Sequence, residues 1–235
     1  METISGATHS STVDRYLETI FYIASEEAVV RPSRISAWLA VSAPTVSEAL
    51  QRLERDQWIS IRADRSVTLT AQGEVVASAI VRRHRVLERW LTDVLGFDWA
   101  AADLEAERIA SAISDEVIDR IDVSMGTPLT CPHGNAIPGR VPTYGALISL
   151  EQIALDTPAR VRRISEVGEH EGQLLLLELA RHGIGEDCEV EVLTRSLDGG
   201  TLKVAGGRSV LTFDATAARA IWVEREDALF ARSSS

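Results

Sequence analysis

The sequence predicts a mainly α-helical chain with a smaller β portion, and three observations carry that reading. Apolar residues recur at helical spacing through residues 12–56 and again through residues 70–121. Two short alternating segments, "WISI" and "SVTLT", interrupt the helices around the turn "RADR" and form a hairpin. Beyond residue 156 the period changes to two, in "ARVRRISEV", "CEVEVLTR", "TLKVAGG", "RSVLTF" and "AIWVE". The 235 residues therefore divide into a helical unit with a hairpin at 1–72, a helical unit at 73–139, a linker at 140–155 and a small β-barrel at 156–227.

Each element follows from local pattern. In residues 12–24, Thr12 can cap a helix whose apolar stripe is Val13, Tyr16, Leu17, Ile20 and Ile23. A polar break follows, then a short helix at 33–40 that turns Ile35, Trp38 and Leu39 inward. The turn "VSAP" leads into a helix at 45–56. Pro44 in its first turn costs little, because that backbone position has no helical partner to lose. Val46, Ala49, Leu50 and Leu53 face inward there. A long helix starts at Thr70 and stops at Gly96, and a single further helix spans 101–121 with Ile109, Ile113, Val117 and Ile121 as its apolar edge. Residues 126–145, dense in proline and glycine, form a structured turn and then a linker. Cys131 and His133, two apart within that turn, suggest soft-metal or haem ligation, but two ligands do not make a site and they are read as turn residues. One helix-like run, "GQLLLLELARHG", lies among the strands.

Net charge is −11, which argues against a generally basic, adhesive protein. Residues 1–72 are the least acidic part, with 7 basic against 9 acidic residues, so a nucleic-acid contact is expected there. The longest apolar runs fall below the roughly 18 residues of a membrane helix. The start of the chain lacks the basic and apolar pattern of a signal peptide. Two cysteines make no disulfide framework, so the chain is expected in the reducing cytoplasm with no membrane partner.

Two short helices, a third helix and a hairpin make a winged helix-turn-helix. The outer face of the helix at 45–56 carries Thr45, Ser47, Glu48, Gln51, Arg52 and Arg55. Hydroxyls and amides there can read base edges in a major groove, and arginines can grip phosphate or guanine. Arg62 and Arg65 at the hairpin tip would meet the phosphate backbone. The candidate DNA-binding set is Arg34, Ser42, Pro44, Thr45, Ser47, Glu48, Arg52, Arg62 and Arg65. A protein-interaction scaffold has no use for arginines at these places. The long apolar stripes of 70–96 and 101–121 need a covering surface, which a second copy of the chain supplies.

The middle unit holds two pairs at helical spacing, His84 with Glu88 and Asp103 with Glu107. Imidazole and carboxylate donors suit Mn(II), Fe(II) or Zn(II). Arg85, Arg89 and Arg108 could equally hold these groups in solvated ion pairs. No nucleophile or oxyanion group accompanies the cluster, so it is not expected to be an enzyme's active site.

The segments "SAPTVSEALQRLERDQWISIRADRSVTLTAQGEVVA", "RRHRVLERWLTDVLG", "EAERIASAISDEV" and "CPHGNAIPG" resemble the diphtheria toxin repressor family of iron- and manganese-dependent transcriptional regulators. The resemblance covers residues 10–139, and residues 156–225 resemble the family's SH3-like C-terminal domain. It implies a homodimer that binds a palindromic operator when loaded with Fe(II) or Mn(II), with residues 73–139 as the dimerisation and metal domain. His84 and Glu88 match family ligands, Asp103 stands where histidine is common, and Glu107 where Cys or Glu is usual. The family's following Glu and His fall on Ala110 and Ser111, and its N-terminal Met or Asp falls on Arg15. Three of four primary-site side chains are therefore replaced, leaving the ancillary set His84, Glu88 and Asp103 with Glu107 close by. Barrel residues His170, Glu171 or Gln173 could add to it. A metal-independent alternative also follows: Arg15, a fixed cation, would face Glu107 in place of the metal's charge, or control would pass to another ligand.

Overall fold

The computed structural model describes residues 10–27, 29–166, 173–196, 201–206 and 209–225, without the side chains of 173, 174 and 201–203. The chain forms two compact units, Met1–Arg82 and Arg83–Ser235.

In the first unit, α1 (Ser11–Glu26) starts earlier than expected, because Ser10 rather than Thr12 accepts the capping bond, from the Val13 amide at 3.4 Å. Leu17, Ile20 and Ile23 are fully buried, and each side chain contributes about 1.5–3 kcal/mol of apolar burial. α2 (Pro32–Leu39) ends at Ala40 in the left-handed region, with Ile35 and Trp38 inward. α3 (Ala43–Arg55) is capped by Ser42 and buries Val46, Ala49, Leu50 and Leu53. Strands β1 (Ile59–Ile61) and β2 (Val67–Leu69) pair antiparallel with Ile59 opposite Leu69 and Ile61 opposite Val67. α4 (Ala71–Asp93) follows at once. Gly73 is required there, since a Cβ would sit 1.9 Å from the Trp58 carbonyl oxygen.

In the second unit the single helix expected at 101–121 is two. α5 (Trp99–Ile109), capped by Asp98, runs into a 3-10 turn at Ala110–Ala112, and α6 (Asp115–Ser124) begins after Ser114. Ile113 is extended, Ser114 occupies the cap position, and Asp115 and Glu116 fill the first turn of α6, where the helix dipole favours acids. These local signals override the continuous apolar period. Val86, Leu87, Leu91, Ala102, Ala106, Ile118 and Ile137 form the helical core.

The remaining elements are β3 (Ile148–Ser149), β4 (Pro158–Ile164), α7 (Gln173–His182), β5 (Glu189–Arg195), β6 (Thr201–Gly206), β7 (Ser209–Asp214), α8 (Ala215–Ala220) and β8 (Ile221–Arg225). The strands form one antiparallel sheet in the order β3-β8-β4-β5-β6-β7. The five alternating runs and the helix among them were expected; β3 and α8 were not, being too short to show a period. Val161, Ile164, Leu179, Val192, Val204, Ile221 and Val223 lie in the sheet's core, which Ala100 of α5 joins.

Candidate functional site

The first candidate surface is built on α3. Ser42 Oγ accepts from the Thr45 amide at 3.4 Å and lies 2.8 Å from Thr45 Oγ1, fixing the helix start. Ser42, Pro44, Thr45, Ser47, Glu48, Gln51, Arg52 and Arg55 are all exposed. The buried stripe of Val46, Ala49, Leu50 and Leu53 leaves this polar face outward. At the hairpin tip Arg62 and Arg65 are exposed, with Arg65 at φ 64°. The tip is braced from inside. The Ser66 hydroxyl and amide donate to the Asp64 carboxylate at 2.7 and 3.0 Å, and these bonds hold its pKa below the usual value. Arg31 donates to the Asp64 carbonyl at 2.7 Å. Sequence reasoning passed over Arg31, whose partner lies 33 residues away. Arg34 differs from the other candidates. Its Nε donates to Glu27 at 2.6 Å and its guanidinium lies 5.9 Å from the Trp38 ring centroid, so it is already engaged.

The second candidate lies in the other unit, where α4 carries His84 and Glu88 one turn apart and α5 carries Asp103. His84 Nε2 is 3.2 Å from Asp103 Oδ1 and 3.8 Å from Glu88 Oε1. One ligand atom from each of the three lies within 4.8 Å of the others, and Glu88 is 2% exposed. Glu107 is exposed and belongs to neither ligand group found among the described residues. Glu171 falls outside the described residues, as does the side chain of Gln173. Arg15 is exposed on α1 of the first unit. Ala110 and Ser111 fall in the 3-10 turn that ends α5.

Glu88 also belongs to a second group, with Cys131 and His133. His133 Nδ1 lies 3.0 Å from Glu88 Oε1, and Cys131 Sγ lies 3.8 Å from His133 Nδ1. Burial, and then the Glu88 charge, push the Cys131 thiol up to about 12. The segment is a turn, as expected. The Cys131 amide donates to the Asn135 carbonyl at 2.9 Å and the Gly134 amide to the Cys131 carbonyl at 3.0 Å. The convergence of its side chains on Glu88 was not foreseen, because no local pattern links a turn to a helix so far back in the chain. Beside this group, Arg85 donates to Glu166 through Nε at 2.9 Å and through a terminal nitrogen at 2.7 Å, tying α4 to the end of β4. Burial raises the pKa of Glu166, while the Arg85 charge lowers it.

Residues 9–67 match the family described as iron dependent repressor, N-terminal DNA binding domain, and residues 70–139 the iron dependent repressor metal binding and dimerisation domain. Residues 148–225 match the FeoA domain. Over 91% of its length the chain is 33% identical to the iron-dependent repressor IdeR of Mycobacterium tuberculosis, covering 97% of that protein. The chain belongs to the iron-dependent repressor family. Within this family it is also 40% identical to the diphtheria toxin repressor of Corynebacterium jeikeium, over 54% of this chain and 53% of that one. A manganese-dependent transcriptional repressor, solved in complex with manganese, superposes with a TM-score of 0.78 at 33% identity, over 91% of this chain and 99% of that one. Iron-dependent repressors are DNA-binding transcriptional repressors, not enzymes. Among the described residues no helix is long and apolar enough to cross a membrane.

Proposed function

We propose that this chain is a homodimeric transcriptional repressor that binds double-stranded operator DNA through α3 and its hairpin, with an affinity set by Mn(II) or Fe(II). The exposed face of α3 carries the reading: hydroxyl and amide groups and Arg52 project from a capped helix beside Arg62 and Arg65. Such a face fits a major groove, with the hairpin tip on the adjoining phosphates. Arg34, Ser42, Pro44, Thr45, Ser47 and Glu48 complete the proposed contact set. Glu48 repels phosphate and can accept only from a donor such as cytosine N4, so it would bias the operator sequence.

His84, Glu88 and Asp103 would hold the metal. Their nitrogen and oxygen donors suit Mn(II) and Fe(II), and a carboxylate as buried as Glu88 needs a positive partner. Glu107, Glu171 and Gln173 are proposed as further donors. The ion would supply positive charge that binds α4 to α5. The proposed organisation is a DNA-binding unit at 1–72, a dimerisation and metal unit at 73–139, a linker at 140–155 and an SH3-like domain at 156–227. Exposed Leu104, Val117 and Val123 offer apolar surface for a second copy. Two copies related by a two-fold axis would set half-sites one DNA turn, about 34 Å, apart. This function places the protein in the cytoplasm.

Selection of binding sites from random duplex DNA tests the reading. The expected result is a palindromic sequence whose affinity falls steeply with salt. Selection of no sequence, or of a site without two-fold symmetry, contradicts it.

A further inference from the structure

We infer that Arg31 and Asp64 form a brace that sets the hairpin tip for DNA, which makes both of them positioning residues for operator binding; the inference rests on the DNA-binding reading of α3 and the hairpin. The hairpin needs a hold from outside. β1 and β2 have three residues each, and a two-stranded hairpin alone is marginal in water. The last facing pair is Ile61 with Val67, so residues 62–66, which include both tip arginines, lie past it. Two backbone bonds close the tip, from the Arg62 amide to the Ser66 carbonyl and from the Arg65 amide to the Arg62 carbonyl, each 2.9 Å. Arg65 sits at φ 64°, a conformation that costs a non-glycine residue and persists where its surroundings hold it.

Three contacts supply that hold. The Val67 amide donates to the Val30 carbonyl at 2.9 Å, so the residue before Arg31 lies beside β2 as a bridge. Arg31, at the cap position of α2, then reaches the tip. One terminal nitrogen donates to the Asp64 carbonyl at 2.7 Å, and the other lies 3.8 Å from Asp64 Oδ2. The remaining carboxylate oxygen, Oδ1, accepts from the Ser66 amide and hydroxyl. Asp64 thus joins the start of α2 to Ser66 across the turn. On the other edge, the Ile61 amide donates to Glu54 Oε1 at 2.8 Å, tying β1 to the last turn of α3. The tip is therefore fixed to both helices of the helix-turn-helix, and Arg62 and Arg65 project from it into water.

Charge distinguishes a brace from a contact. Asp64 stands between Arg62 and Arg65 in a tip that faces phosphate, where a carboxylate by itself opposes binding. By charge alone its removal should tighten the complex. As half of a brace its removal does the opposite, because the two arginines lose their fixed approach and must be ordered as the complex forms.

Two measurements on the full-length chain test this. The first titrates the duplex found by binding-site selection. Asp64→Ala should weaken binding by about fivefold to tenfold. In the Arg62→Ala, Arg65→Ala background the same change should cause no weakening, since no tip arginine is left to position. The second follows amide hydrogen exchange by NMR without DNA. Arg31→Met should speed exchange of the Arg62 and Ser66 amides by about tenfold and leave the central amides of α3 unchanged. This arm needs no operator, so a chain that selects no duplex overturns the functional reading while exchange still decides the brace. The inference is overturned by unchanged or tighter binding on Asp64→Ala, by a loss of equal size in both backgrounds, or by tip amides whose exchange Arg31→Met leaves unchanged.

Discussion

The face of α3 and the cluster around Glu88 use charge in opposite ways. On α3 and the hairpin, Arg52, Arg62 and Arg65 project into water. Their effect on an anionic partner is long-ranged, additive and screened by salt. Around Glu88, the Glu166 carboxylate, the His133 imidazole, the Cys131 thiol and Arg85 are closed away from water, with His84 partly so, at separations of 2.7–3.8 Å. There the charge of one group sets what its neighbours can do, and removing one leaves another uncompensated. Substitutions on the outer face should therefore change binding and spare stability, and substitutions in the inner cluster should do the reverse first.

The largest effect is expected from Arg85→Ala. It removes the guanidinium from the buried Arg85–Glu166 pair, and loss of one partner of a buried pair costs about 3–5 kcal/mol. Urea unfolding should show that loss in the midpoint; a change under about 1 kcal/mol would mean that water reaches the pair, erasing the contrast with the outer face. Arg52→Ala comes next, on the other side of the comparison. Operator binding should weaken by about 1–3 kcal/mol with the unfolding midpoint unchanged, and the salt slope should fall by about one if Arg52 meets phosphate. Ser42→Ala mixes the two behaviours, because Ser42 is exposed yet caps α3. A stability loss of about 1 kcal/mol is expected, with weaker DNA binding through a frayed helix start. Glu48→Gln should be the mildest, leaving stability alone and shifting only the preferred sequence. An unchanged preference in a binding-site selection would remove Glu48 from the base-reading set.

The two regions were not equally legible in the sequence. The α3 face could be read because everything that defines it is local: a cap at Ser42, a buried stripe at helical spacing and arginines in the gaps. The His84–Glu88 pair was legible for the same reason, and Asp103 entered through its own helix. Glu88–His133–Cys131 was not, since it joins a helix to a turn far along the chain. The break at Ala110–Ala112 was hidden by an apolar period that α5 and α6 happen to continue, although Ser114 with two acids after it was a usable start signal. Arg31 on Asp64 and Arg85 on Glu166 are likewise long-range pairs that no spacing reveals.

The central claim is that metal at His84, Glu88 and Asp103 controls the affinity of the α3 face for DNA. Operator binding measured with Mn(II), and again after chelation, addresses it most directly. Affinity should rise at least tenfold with Mn(II), collapse in chelator and recover when metal is restored, and His84→Ala should abolish the response. A chelated wild-type chain that holds the operator as tightly as the loaded one would contradict the claim, and would put the fixed charge of Arg15 in the metal's place.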